Sequence, residues 1–337
     1  MTRSEPTRDT PLHATGPSSA SGDAAADLPL GGGADPVDDS GTGFPGAEAA
    51  GVALGTVRPQ SQFRDIRRRF FRNKLAVLGL VLIALLVLVA VFAPLIAPFD
   101  PLKQDLANTT AGPSGKHWMG TDTLGRDQFS RIVYGSRVAI IIGLASIIIA
   151  VVIGVVLGAL AGYFGKAWDA VIMRVADVFF AFPLLIGAII IIVVVGRGVL
   201  PVILSLAIFS WATVARLLRS SILSIRESEY VEAARSLGAS RWRIVTRHIL
   251  PNSLAPVLVY ATFNVGTAVV AAAALSFLGV GVSPEVPEWG NMIAAGRGFV
   301  GVADHLWVFP SLAIVLTVLG FIFAGDGLRD ALDPKLR

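Results

Sequence analysis

Six long apolar runs separated by short charged stretches set the pattern of this chain. They cover residues 75–97, 138–163, 171–195, 199–215, 253–278 and 307–325. A helix rises 1.5 Å per residue, so about 20 apolar residues cross about 30 Å of hydrocarbon. Lipid offers no partner to an unpaired peptide group, and each run is therefore expected to be a helix. The expected fold class is an all-α membrane protein with six transmembrane helices. Pro98 and Asp100 close the first run, and Pro183 inside the third predicts a kink. Asp177, near the start of that run, has two readings. It is either an intramembrane functional carboxylate or, the favoured reading, the partner of Arg174 three residues earlier on the same helical face.

The polar stretches divide the rest. Residues 1–60 are rich in Gly, Ala, Ser, Pro, Thr and Asp, with too few large apolar side chains to offset the entropy of ordering, and read as a disordered tail. No apolar stretch follows a basic start, so this is not a signal peptide. Residues 61–74 hold "FRDIRRRFFRNK", whose cations and phenylalanines fit an interfacial helix or a basic stop beside the first span. Residues 99–137 form a second polar segment, residues 138–328 the membrane core with a charged loop at 219–252, and residues 329–337 a short tail. With the N-terminus inside, eighteen Lys and Arg lie in inner connections and seven in outer ones. That bias predicts both termini on the cytoplasmic side.

The charged loop then faces the cytoplasm, since each arginine in hydrocarbon would cost about 2.5–3.5 kcal/mol. Its "ESEYVEAARSLG" places Tyr230, Ala233, Ala234 and Leu237 on one helical stripe flanked by Glu229, Glu232 and Arg235. Gly238 suits the residue after a helix end, Ser240 caps a second helix through "RWRIVTRHIL", and Pro251 suits the first turn of a new one. Two readings remain open: a face approached closely by another protein, or an amphipathic loop packed on its own bundle.

Composition narrows the chemistry. The chain is 54% hydrophobic and only 15% charged, against about a quarter charged in soluble domains. The net charge of +4 comes from cations beside apolar spans, which speaks for the membrane and against nucleic acid as a partner. There is no cysteine, hence no thiol nucleophile or thiolate metal site. Gly165-Lys166 is followed by Ala167 where a phosphate-binding loop needs Ser or Thr. His13, His117, His248 and His305 lie in separate segments with no metal-ligand spacing. No catalytic residue, metal site or cofactor is expected in this chain.

Glu232, Ala233, Ala234 and Gly238, followed after nine residues by "HIL" and Pro251, resemble the EAA motif of ABC-importer permeases. The histidine at 248 is common in the peptide-importing branch. Upstream, "GTDTLGRDQFSRIVYGSR" is similar to the signature of the C-type permease subunit of dipeptide and oligopeptide importers. It is carried by Gly120, Thr121, Asp122, Gly125, Arg126, Asp127, Ser130 and Arg131, with Gly135 and Arg137. The resemblance covers about residues 65–337; "FPS" at 309–311 and "FIFAGDG" depart from the usual pattern of the last span.

The resemblance implies an ABC-importer permease (MetI-like) fold and a loop that docks into an ATPase, with Tyr230, Glu232, Ala233, Ala234, Leu237, Gly238, Ala239, Arg243 and Pro251 as its coupling residues. It implies as partners a second homologous permease subunit, two ATPases holding ATP and magnesium, and an extracytoplasmic peptide-binding protein. The extracytoplasmic signature is either a docking surface for that protein or a self-satisfied surface fold held by Asp122, Arg126 and Asp127. A proton-coupled carrier is disfavoured because five of the six apolar runs carry no ionisable residue in their middles. Nickel or another small solute remains an alternative cargo.

Overall fold

The computed structural model describes residues 62–332; the tail over residues 1–60 and the last residues, 333–337, lie outside that range. Among the described residues the regular structure is helical, with one isolated bridge between Thr121 and Asp127. Helix α1 (Gln62–Arg72) carries the basic segment and leads into α2 (Lys74–Val91), whose first N–H groups are capped by the Asn73 side chain. The first apolar run does not stay one helix. Pro94, which has no N–H, opens a separate turn, α3 (Ala93–Ile96).

Helix α4 (Gln128–Phe164) begins well before the apolar run that announces it. Asp127 caps it, accepting from the Ser130 N–H at 2.8 Å. Its 37 residues extend about 55 Å at 1.5 Å each, more than the hydrocarbon needs, so one end projects. The third run is two helices, α5 (Lys166–Ala181) and α6 (Leu184–Val195), bent by 90°. The expected kink is thus a break. Phe182, restricted by the following proline, is extended at φ −99° and ψ 127° and cannot continue α5.

Helix α7 (Val199–Ile225) runs past its apolar stretch into the cytoplasmic loop, followed by α8 (Glu229–Ser236) and α9 (Arg241–Ile244). A π turn over Val245–Ile249, α10 (Leu250–Ser253) and α11 (Ala255–Phe277) complete the fifth run. Helices α12 (Trp289–Gly296) and α13 (His305–Leu332) follow.

Five helices are individually long and apolar enough to cross a membrane. Asn73 Nδ2, at the start of α2, donates to Asp330 Oδ2, near the end of α13, at 3.1 Å. The two ends therefore share one side, which demands an even number of crossings. The bent α5–α6 pair supplies the sixth. A second contact agrees: Gly198, just after α6, donates its N–H to the Gly281 carbonyl beyond the outer end of α11.

The core is densest where α4 meets α7. Gly154, Gly158 and Gly162 recur at four-residue spacing on α4. A Cβ on Gly154 would lie 2.5 Å from the Val214 Cβ, and one on Gly158 2.6 Å from the Ala215 carbonyl oxygen. Helices in lipid gain association energy from such close backbone approach rather than from a hydrophobic drive. Outward-facing Leu85, Ile148, Val152 and Val194 stay exposed, as lipid-facing or subunit-facing positions must.

Candidate functional site

The cytoplasmic loop is built as an anchored bracket. Val231 is fully buried in α8, packed in a cluster with Leu218 and Ile222 of α7, Ile244 of α9, Ile249 and Val257. Two carbonyls tie the bracket to the bundle: that of Gly162 accepts from Arg226 Nη1 at 3.5 Å, and that of Arg241 accepts from the Tyr163 hydroxyl at 3.4 Å. Glu229 and Glu232 sit in the first turn of α8 and Arg235 in its last, which suits the helix dipole at both ends.

Helix α8 closes in a Schellman motif. The Ala239 N–H reaches the Ala234 carbonyl at 3.1 Å and the Gly238 N–H reaches the Arg235 carbonyl at 3.0 Å, with Gly238 at φ +78°. The Ser240 side chain then caps α9, accepting from the Arg243 N–H at 3.4 Å. As expected, Pro251 lies in the first turn of a new helix, α10, which follows directly on the π turn. Leu250 donates to the Val245 carbonyl, and the wider turn accommodates a proline with no N–H to give. Asn252 Nδ2 and Ser253 Oγ satisfy the His248 and Ile249 carbonyls at 2.6 and 2.9 Å.

The stripe expected from helical spacing faces away from the bundle. Leu237 is 87% exposed and Tyr230 46%, Ala233 is exposed and Ala234 half-buried. Glu232, Gly238, Arg243 and Pro251 are exposed and Ala239 half-buried. Trp242, which the motif does not single out, adds a side chain 75% exposed beside them. Of the two readings of the loop, packing of this stripe on its own bundle does not occur. Val231 performs the anchoring, on partners from α7, α9, the π turn and α11.

Behind the loop, α5 and α7 are joined by two ion pairs. Asp169 takes both oxygens to Arg219, with Nη2–Oδ2 at 2.6 Å. Asp177 pairs with Arg216 at 2.6 Å, and the same guanidinium lies 4.1 Å from the Phe180 ring centre. The favoured Arg174 pairing is therefore corrected. A partner on the adjacent helix displaces one on the same helix, because α7 brings Arg216 alongside Asp177.

On the outer side, the signature residues fold into a cap. Asp122 Oδ1 accepts from the Leu124 and Arg126 N–H groups, and Oδ2 from Arg126 Nε at 2.7 Å. Gly125 turns at φ +73° against the Asp105 carbonyl, where a Cβ would lie 1.8 Å away. The Thr121 hydroxyl donates to the Asn108 carbonyl at 2.5 Å and accepts from the Ala111 N–H. Asp127 contacts His117 Nδ1 at 2.9 Å, Ser130 Oγ accepts from the Phe99 N–H, and Arg131 Nη1 donates to the Pro101 carbonyl. Gly120, at φ +78°, passes beneath His305. All eight are buried. A docking surface needs exposed side chains, so these build the cap from within and do not themselves present one.

Comparison with known proteins decides the family. The description "Binding-protein-dependent transport system inner membrane component" matches residues 154–337, and "N-terminal TM domain of oligopeptide transport permease C" matches residues 61–113. The chain belongs to this family of inner-membrane permeases. The permease is 44% identical over 290 residues to the glutathione transport system permease protein GsiD of Pectobacterium atrosepticum, covering 85% of this chain and 96% of that protein. It is 43% identical over 277 residues to the dipeptide transport system permease protein DppC of Alkalihalophilus pseudofirmus, covering 82% and 91%. A chain of the MetNI methionine ABC transporter, solved in inward-facing conformations, shares the fold at a TM-score of 0.50 and 22% identity, covering 60% of the permease and 96% of that chain. The permease is a multi-pass protein of the cytoplasmic membrane.

Proposed function

We propose that this permease is one of two homologous membrane subunits of an ATP-driven importer of di- and oligopeptides. Two cytoplasmic ATPases bind ATP and magnesium, an extracytoplasmic binding protein delivers the peptide, and the pathway forms between the two permease subunits. The observation that carries the reading is α8. Its apolar stripe, Tyr230, Ala233 and Leu237, faces outward while Val231 pins the helix to the bundle. Closure of the ATPases pushes this bracket, and its rigid joints to α7, α9 and α11 tilt the membrane helices between inward-open and outward-open arrangements. Relatives named for dipeptide and for glutathione transport support a short-peptide cargo.

The test is purification of the tagged full chain from its native membrane in mild detergent, followed by reconstitution into liposomes. The reading expects recovery of a second permease and two ATPases, and uptake of a labelled dipeptide that requires ATP and the binding protein. Uptake by the solitary chain without ATP would replace it with a secondary carrier.

A further inference from the structure

Between the cap and the outer ends of the membrane helices lies a cavity of about 250 Å³. The cap side carries Asp122 together with Arg126 and Arg131; the membrane side is formed by Ser276 at the end of α11, by Met292 and Ala295 of α12, and by Leu306. We propose that this cavity is a binding site for a single carboxylate group.

The argument begins with charge. Asp122 is the one acid paired with the two guanidiniums. Its Oδ1 is taken by backbone N–H groups and its Oδ2 by Arg126 Nε at 2.7 Å. Arg131 Nε stands 3.5 Å from the same oxygen and, among the described residues, makes no hydrogen bond, although Arg131 is only 2% exposed. Two cations against one anion leave one buried positive charge uncompensated. Such a charge is costly unless it is paired and hydrogen-bonded. Asp127 does not fill the role, because it is committed to His117 and to the first turn of α4.

The geometry then selects the ligand class. Guanidinium groups hold carboxylates through paired, parallel hydrogen bonds, and one net positive charge matches a monoanion better than a dianion. Met292, Ala295 and Leu306 give the opposite wall an apolar character suited to a short alkyl group. The volume is below the roughly 300–1,000 Å³ of ordinary small-molecule sites. It fits a chain terminus or an acidic side chain rather than a whole oligopeptide. The carboxylate has two sources: the free C-terminus of a small peptide, or an acidic group on a protein docked at the outer face. This inference uses the cap and its charges alone and stands apart from the coupling loop.

The probe is N-acetyl-alanine, with N-acetyl-alanine amide as its uncharged twin, titrated against the full chain in lipid nanodiscs while its unfolding midpoint is followed. The acid is expected to raise the midpoint saturably and the amide to leave it unchanged. Arg126→Gln should weaken the acid at least tenfold. Ala295→Trp, at an exposed rim position, should abolish the response by filling the cavity, with its own midpoint unaltered. If the acid also displaces the cognate binding protein from the nanodisc, the natural carboxylate belongs to that protein; if it binds without displacing it, the source is a free small molecule. An equal response to acid and amide, or a response that survives Ala295→Trp, would overturn the proposal.

Discussion

Leu237→Ala separates the proposed docking from folding at the α8 bracket. The leucine is 87% exposed in this chain, so its truncation removes almost no internal contact, and the permease should keep its own stability within about 0.5 kcal/mol. If an ATPase covers the stripe, the same truncation removes three buried carbons from the joint surface. At about 0.8 kcal/mol per buried carbon, scaled for incomplete burial, the loss is about 2 kcal/mol, or about 30-fold in affinity. Val231→Ala is the mirror experiment. Val231 is 0% exposed and packs on Leu218, Ile222 and Ile244, so losing two methyl groups should cost about 2 kcal/mol of permease stability, cavity included. Both quantities are measurable in nanodiscs, stability by tryptophan fluorescence during heating and affinity by titration with the purified ATPase. A Leu237→Ala permease that melts early, or that holds the ATPase as tightly as the parent, would refute the assignment of that face.

Three further outcomes follow from local geometry. Gly238→Val should lower ATP-driven uptake while membrane insertion, followed by protease protection, is retained. The residue sits at φ +78° with no atom near its would-be Cβ, so the penalty is backbone strain of about 1–2 kcal/mol or more in the turn alone. Gly158→Leu should destabilise the α4–α7 packing by about 1–3 kcal/mol or more, read as a lower unfolding midpoint, because the Ala215 backbone blocks the new side chain. Glu288 caps α12 at 2.9 Å from the Gly290 and Asn291 N–H groups, and burial holds its carboxyl above the usual glutamate range. The folded state thus binds the proton more tightly than the unfolded one. This contribution is complete below the ordinary value of 4.5 and is lost as pH rises through the raised one. Unfolding midpoints measured across that range should fall faster for the parent than for Glu288→Gln; parallel curves would contradict the shift.

Much of this architecture is legible along the chain, because lipid leaves so few choices. An apolar run of sufficient length must become a helix, and the placement of Lys and Arg orients it. The cytoplasmic loop is equally readable: Gly238 and Ser240 close and open helices by local rules, and both do so here. The signature near Asp122 shows the limit. Its residue types identify the family, yet a motif does not say which way side chains point, and of its two readings only burial selects the self-satisfied fold over the docking surface.

The sequence by itself determined the apolar spans, the cytoplasmic loop and the family, since each depends on local backbone chemistry or on hydropathy, whereas α4 starts before its apolar run and α7 ends beyond its own. Only the tertiary structure decided that Asp177 belongs to Arg216, that Val231 anchors α8, that α5 and α6 break at 90°, and that two arginines share one aspartate above a cavity. The pairings depend on which helices come into contact; Pro183 marks the α5–α6 break, but its angle is visible only in the fold. The Gly154, Gly158 and Gly162 spacing permits close approach, but the partner surface that accepts it exists only once α7 has packed against α4.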